Sequence, residues 1–591
     1  MSSIRLLLVS MLAATPVLAF AAPMRLNPDL SSLSSLPMHV TAGASISKSL
    51  AQASNKSDPV QFAIATPLKV GLDGGLWDRA DANTDRWRAR VRSAGALGLG
   101  LEFSKFALPE GAALWVYDDA GQLVQGPYTR ADQTAEGKLW TAIVPGSSAV
   151  LELQVPAEAR DAVQLELAQV DHAFLDISKA AAIVSAKSGS CNVDMICSDG
   201  NAWRAEGRAV AMISIGNTYV CSGELLNNAR QDKDPLFITA NHCQVGQTST
   251  TPASSVVFYW NYQTSSCGGT PNGSLSQNQS GSTLLAADVG SDFTLLRLNK
   301  QPNSEYNVYF AGWDVGSAIP QSGVAIHHPQ GEEKRISTYS TAAVRQDVCI
   351  DGSSSDSSCT RLVKSWQVNW ARGVTESGSS GSGLWNQNHR LVGVLSGGNT
   401  SCTNTAGNDY FARLEVAYTA NAAASGQLKA WLDPAGSGIT GIAGRESSSS
   451  VVTAVTDTVS TVVGTATTLL NVLANDSTTG SGALTITSVT NGVKGGIVKI
   501  VDNELVYTPP GGFVGTDSFT YTVSDGSSSD TVPVSVVVAE PTSGGGGDSS
   551  SGGGGGAMQW PALLVFASLG LFRLQRRRAT SARACRAGSA V

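Results

Sequence analysis

The stretch Gly378-Ser379-Ser380-Gly381-Ser382 sets a serine between glycines, and the residues that answer to it elsewhere in the chain decide the fold. A serine hydroxyl is a poor nucleophile at neutral pH, so Ser380 needs an imidazole to take its proton as it attacks a carbonyl carbon. Thr239-Ala240-Asn241-His242-Cys243 supplies the candidate, His242. Glycines on both sides of Ser380 allow a tight turn that brings the amide N–H groups of Gly378 and Ser380 towards a developing oxyanion. A Ser/His pair also wants a carboxylate on the other imidazole nitrogen. Asp292 heads the apolar run Phe293-Thr294-Leu295-Leu296, where a carboxylate is buried and so needs a partner. Asp288, four residues earlier, is the alternative. Singly, each residue has an ordinary reading: a core histidine, a Gly/Ser turn, an aspartate that starts a strand.

Around these three residues, positions 188–445 carry short β-like runs at 209–215, 256–260, 293–298 and 391–395, separated by Gly/Ser/Asn turns. Many short strands with few long amphipathic helices predict antiparallel β-barrels, with one short helix expected at 426–432. Residues 22–187 show strand alternation at 113–117 and 163–167, and contain no cysteine. They read as a β-rich propeptide that assists folding and restrains activity. A Ser-rich linker (446–451) leads to residues 452–539, whose Thr/Val/Ile alternation and turns at Asp502-Asn503 and Asp525-Gly526 predict an Ig-like or cadherin-like β-sandwich. Asp476, Asp517 and Asp525 there read as turn residues, and no calcium site is assigned. The fold class is all-β.

Eight of the nine cysteines fall between Cys191 and Cys402, so a disulfide-stapled domain begins near residue 190. Residues 1–21, with Arg5, an apolar run and Ala19-Phe20-Ala21, form a signal peptide. At the far end a Gly/Ser linker (540–556) precedes residues 557–591, which hold an apolar run at 557–572 and then Arg573, Arg576, Arg577 and Arg578. Sixteen helical residues rise about 24 Å, short of the ~20 residues that usually span, and the run reads as a membrane-inserted tail with its arginines on the cytoplasmic side. The net charge of −7 gives no basic surface for nucleic acid, and nothing in the sequence calls for a metal or organic cofactor.

The order His242, Asp292, Ser380 is that of the chymotrypsin-like triad. T-A-N-H-C resembles that family's T-A-x-H-C, and G-S-S-G-S its G-D-S-G-G. Residues 188 to about 440 are similar throughout to the bacterial lysyl endopeptidases, secreted trypsin-like serine proteases. The likeness is carried by S-G-S-C-N-V-D (188–194), Y-W-N-Y-Q (259–263), S-D-F-T-L-L (291–296), A-G-W-D (311–314), I-H-H-P (326–329), E-K-R-I-S (333–337) and G-V-T-E-S-G-S-S-G-S (373–382). The resemblance implies a trypsin-like double β-barrel with the triad in the cleft between barrels, and hydrolysis through an acyl-enzyme. His327 and His328 match the family without a catalytic role in it.

The resemblance further implies disulfides Cys191 with Cys402, Cys197 with Cys267, and Cys221 with Cys243, leaving Cys349 and Cys359 to close a local loop. It places Asp409 in the primary pocket, where a buried carboxylate selects a basic side chain before the scissile bond, with Ser396, Gly397 and Gly398 running beside the substrate backbone. Lys187 precedes Ser188, the family's mature start, so an enzyme that cuts after lysine releases its own prodomain there. Two departures stand out. Ser396 replaces the family's pocket histidine, and no tryptophan matches the one that stacks on it, which points to basic rather than strictly lysine preference. Ser379 stands where animal trypsins carry the aspartate that pairs with a freed N-terminus. The glycine run, apolar helix and arginine cluster resemble the GlyGly-CTERM sorting signal of Gram-negative bacteria, which implies transient inner-membrane anchoring and removal by a rhomboid-type protease. Cys585 lies beyond those arginines. The competing class is a surface adhesion or binding protein on a catalytically silent protease fold.

Overall fold

A computed structural model describes residues 32–42, 59–175, 177, 189–248, 251–350, 359–447, 452–464, 468–478, 483–525 and 528–541. The signal peptide, the Lys187/Ser188 junction, the 542–556 stretch of the Gly/Ser linker, the arginine-flanked tail and Cys585 lie outside them. Among the described residues no helix is long and apolar enough to cross a membrane.

The N-terminal domain is two sheets packed face to face. One is built on Thr84–Arg92, Ser148–Pro156 and Ala113–Tyr117, and the other on Gly98–Ala107, Gln164–Ala173 and Ala63–Gly71. Alternating apolar residues, among them Leu99, Leu101, Leu151 and Leu153, meet between the sheets, as a period-two pattern requires. The run expected at 113–117 is a strand, and the one at 163–167 belongs to the longer Gln164–Ala173.

Two further sheets form the barrels. The first has Asn278–Ser280, Val256–Trp260, Val210–Ile215, Tyr219–Leu226, Leu236–Thr239, Phe293–Leu298 and Ser282–Asp288 in spatial order. The second centres on Gly323–His327, Gly383–Asn386, Leu391–Gly398, Asp409–Arg413 and Leu362–Val368. Fully buried Trp260, Trp313 and Trp385 belong to one apolar core that runs through both. The helix expected at 426–432 is divided into a 3₁₀ turn, Ala424–Gly426, and an α-turn, Lys429–Leu432. Glu446 is held by the barrels: Arg445–Glu446 pairs with Tyr309–Phe310, and the Glu446 carboxylate receives both guanidinium nitrogens of Arg208 at 2.7 Å.

Disulfides join Cys191 to Cys402, Cys197 to Cys267, Cys221 to Cys243, and Cys349 to Cys359. The quoted motifs are packing devices as well as signatures. Val193–Asp194 pairs with Ile336 and Arg335, and the Asp194 carboxylate meets the Arg335 guanidinium. Trp313 donates its indole N–H to the Asn227 carbonyl at 2.8 Å.

Residues 452–541 form a sandwich. Asp457–Val462, Ser529–Ala539, Gly515–Ser524 and Thr485–Val489 make one sheet, and Thr468–Leu470, Glu504–Thr508 and Ile497–Val501 the other. Asp502 and Asn503 take positive φ (51° and 65°) in the two-residue turn joining Ile497–Val501 to Glu504–Thr508. Asp517, expected as a solvated turn residue, is instead buried in strand Gly515–Ser524, where it accepts the N–H groups of Lys494, Gly496 and Ser518 and the Tyr507 hydroxyl as a structural acceptor.

Candidate active site

The pairing of Leu236–Thr239 with Phe293–Leu298 builds half of the site. Thr239 lies opposite Thr294, so the chain three residues beyond Thr239 and the chain two residues before Thr294 emerge at the same end of the barrel. There Asp292 accepts the His242 backbone N–H at Oδ1 and bonds His242 Nδ1 at Oδ2, both at 2.9 Å. Two bonds from one carboxylate fix both the loop and the ring. Asp292 adopts φ +43°, a left-handed conformation that an aspartate tolerates better than most side chains. Asp288 is the turn residue instead, accepting the N–H and hydroxyl of Ser291 at 2.8 and 2.6 Å. By this register Asp292, and not its rival Asp288, reaches His242.

The other half is the 378–382 loop of the second barrel. Ser222 N–H donates to the Ser380 carbonyl at 2.8 Å, Ser222 Oγ donates to the Gly378 carbonyl at 3.0 Å, and Thr239 Oγ1 donates to the Ser222 carbonyl at 2.8 Å. These bonds sew the serine loop to the strand end that carries His242. Gly378 and Gly381 take φ +88° and +85°. A Cβ on Gly381 would lie 2.2 Å from Thr239 Oγ1 and 2.9 Å from the Ala240 nitrogen, so only glycine lets the loop sit this close to the histidine strand. Ser380, His242 and Asp292 are each at most 2% exposed. His242 Nε2 is buried and makes no hydrogen bond with the described residues, which leaves it as the nitrogen for proton exchange.

Ser379 has a buried partner of its own. Its hydroxyl bonds His327 Nδ1 at 2.8 Å, and His327 Nε2 meets Ser337 Oγ at 3.1 Å. The residue before Ser380 is therefore anchored by a histidine inside the second barrel. His328, beside it, bonds the Glu332 carbonyl, and burial pushes its imidazole well below the usual range.

Asp409 is fully buried where Asp409–Arg413 pairs with Leu391–Gly398, opposite Gly398. Its Oδ2 accepts hydrogen bonds from the Trp370 indole (2.7 Å), Thr375 Oγ1 (2.7 Å) and Thr400 Oγ1 (2.6 Å). Ser396 is buried one residue before Gly397, with its hydroxyl unpartnered in the described protein. Sequence reasoning missed Trp370 and Thr400. Thr375 lay inside the quoted G-V-T-E-S-G-S-S-G-S motif, which was the available signal. Trp370 does not stack on Ser396; it binds the carboxylate itself. Glu376, in the same motif, accepts the Gly189 N–H at 3.0 Å and Asn192 Nδ2 at 3.0 Å, tying the start of the barrel domain to the serine loop. Among the described residues no group of three or more His, Cys, Asp or Glu side chains is disposed to hold a metal ion.

Ser380, His242 and Asp292 are thus buried where the two barrels meet, on loops that the Ser222 and Thr239 bonds hold together. The chain is a serine endopeptidase. Within that class it carries both domains of the lysyl endopeptidases in order: the lysyl endopeptidase N-terminal domain family matches residues 45–174, and the lysyl endopeptidase C-terminal domain family matches residues 185–412. A bacterial Ig domain family matches residues 449–537. The lysyl endopeptidase of Pseudomonas aeruginosa is 29% identical over 399 residues, spanning 62% of this chain and 82% of that protein. Similar solved structures include a Glu endopeptidase (14% identity, TM-score 0.26, 39% of this chain and 94% of that one). The Vibrio cholerae VesB protease is another (12% identity, TM-score 0.25, 57% of this chain and 98% of that one).

Proposed function

We propose that the protein is a secreted endopeptidase that cleaves after lysine, and after arginine as a second choice, with Ser380 as nucleophile, His242 as general base and acid, and Asp292 as the group that orients the imidazole. The observation that carries this reading is the pair of hydrogen bonds that the Asp292 carboxylate accepts from the His242 backbone N–H and Nδ1, which favours the tautomer with Nε2 free for proton transfer. The Gly378 and Ser380 amides serve as the oxyanion donors, on a loop whose tight turn uses positive φ at Gly378 and Gly381. Asp409 receives the basic side chain: a carboxylate removed from water favours a cation strongly over a neutral group. The Ser396-Gly397-Gly398 strand end guides the substrate backbone, with Gly398 beside Asp409.

Residues 22–187 serve as a prodomain released between Lys187 and Ser188. The tail acts as a transient anchor removed by a rhomboid-type protease. A fluorophosphonate probe tests the core of this reading. Mature wild-type protein takes up the label and Ser380→Ala does not; a folded wild-type protein that stays unlabelled sinks the enzyme reading in favour of a silent binding scaffold.

A further inference from the structure

Strand Tyr219–Leu226 has an edge that its own barrel leaves open. On one side it pairs with Val210–Ile215, from Tyr219 to Glu224. On the other, Leu236–Thr239 reaches only Glu224, Leu225 and Leu226. Along the rest of that second edge, Ser222 gives its N–H to the carbonyl of Ser380, and Tyr219 and Val220 pair antiparallel with Gln61 and Val60 of the N-terminal domain. Phe62 N–H extends the contact to the Thr218 carbonyl at 2.9 Å.

The direction of this added strand matters. In the antiparallel register, moving back from Gln61 to Val60 is moving forward from Tyr219 to Val220, towards Cys221, Ser222 and hence Ser380. A peptide laid on the edge in the same register presents the residue two before its Val60 equivalent opposite Ser222. Its bond under attack then lies just before the paired segment, and the paired residues are the leaving-group side. Pro59 lines a cavity of about 210 Å³ with Tyr219, Cys243, Gln244 and Thr251, and Cys243 adjoins His242.

The seat is built to hold. Val60, Phe62, Trp140 and Ile143 share one buried apolar cluster with Met212, Val220, Val257 and Tyr259 of the barrel. Ile143 N–H donates to the buried Tyr259 hydroxyl at 3.0 Å, and Asn217 Nδ2 donates to the Thr141 carbonyl at 3.3 Å. Main-chain pairing holds the strand, as in β-strand addition, and the apolar cluster adds buried surface to the seat.

Resting on Ser380 as nucleophile, we propose that the N-terminal domain restrains the enzyme from the leaving-group side: its Val60–Gln61 strand occupies the edge that otherwise pairs with substrate residues C-terminal to the cut bond. An open strand edge accepts any extended chain, so the same edge takes protein substrates once the domain departs.

The test uses the full chain bearing Lys187→Ala, with retention of the N-terminal domain checked by intact mass. Hydrolysis of lysine and arginine methyl esters, which carry no residues on the leaving-group side, is compared with cleavage of a quenched peptide extending four residues beyond the basic residue. Relative to the mature enzyme, peptide cleavage falls by about tenfold or more beyond any fall in ester hydrolysis. Val60→Pro, which removes an edge N–H, returns peptide cleavage towards the mature value. Equal suppression of ester and peptide, or no suppression of either, overturns the proposal even without the variant. Mature protein that fails to take the fluorophosphonate label overturns the nucleophile assignment itself, and the proposal with it.

Discussion

The indole N–H of Trp370 donates to the carboxylate of Asp409 at 2.7 Å, and the Trp370 ring lies edge-on to Phe411 with centroids 6.0 Å apart. The carboxylate is thereby aimed by a side chain that is itself locked by packing. Asp409→Asn keeps the shape and removes the charge, and is expected to lower kcat/KM for lysine and arginine substrates by about a hundredfold or more. Trp370→Phe removes one donor and keeps most of the ring, so it costs about tenfold, chiefly in KM. Steady-state kinetics on short lysyl substrates separates the two.

Asp292 and Asp288 stand four residues apart with different work. Asp292 bonds both the ring and the backbone of His242, and Asp288 only closes the turn at Ser291. Asp292→Asn should cut kcat by about 10⁴, the loss expected when the imidazole is held in the wrong tautomer. Asp288→Asn should change kcat less than about threefold while lowering the melting temperature, because a turn acceptor is weakened and the imidazole is untouched. Similar kcat losses in both variants would contradict the assignment.

His327 anchors Ser379 and is bonded in turn to Ser337. His327→Ala removes one hydrogen bond from each of two buried hydroxyls, Ser379 retaining the Glu376 N–H and Ser337 the Val374 carbonyl, a loss of about 0.5–1.5 kcal/mol each plus the space left by the ring. The expected outcome is a lower melting temperature together with slower fluorophosphonate labelling, because the loop that presents Ser380 loosens. Unchanged labelling would leave His327 a residue of the core alone.

Lys334 is fully buried with its Nζ donating to the Gly207 carbonyl at 2.6 Å, and burial, with Arg208 nearby, brings its ammonium down to about 7. Below that pH both folded and unfolded chains carry the charge, and the folded one bears the cost of burying it. Between pH 7 and the ordinary lysine value of 10.5 the unfolded chain keeps a proton that the folded chain has released, so folding gains as pH rises. The unfolding free energy of the wild type from denaturant titration, compared with Lys334→Met, should therefore climb from pH 7 to pH 9 by as much as about 1.4 kcal/mol per pH unit. Parallel curves for the two proteins would rule this out.

How far the sequence reached is clear at particular residues. Asp292 was legible because an apolar run starts directly after it, so a carboxylate there has no cheap alternative to a partner. Its advantage over Asp288 needed the Thr239 to Thr294 register, which is a long-range pairing. Asp409 followed from resemblance, but Trp370 and Thr400 approach it from separate strand ends, and no local period links them to it. The two-residue strand Val60–Gln61 is too short to show alternation, so the docking of the N-terminal domain on the barrel was invisible beforehand. The 426–432 helix was read in the right place and was too continuous, since Gly426 ends one short turn before Lys429 begins the next.

The most direct measurement is digestion of a denatured protein mixture by the mature enzyme, with every new terminus mapped by mass spectrometry. Cleavage concentrated after lysine, with arginine second, and lost in both Ser380→Ala and Asp409→Asn, is the predicted result. Active wild-type enzyme that scatters its cuts without regard to basic residues would contradict the account.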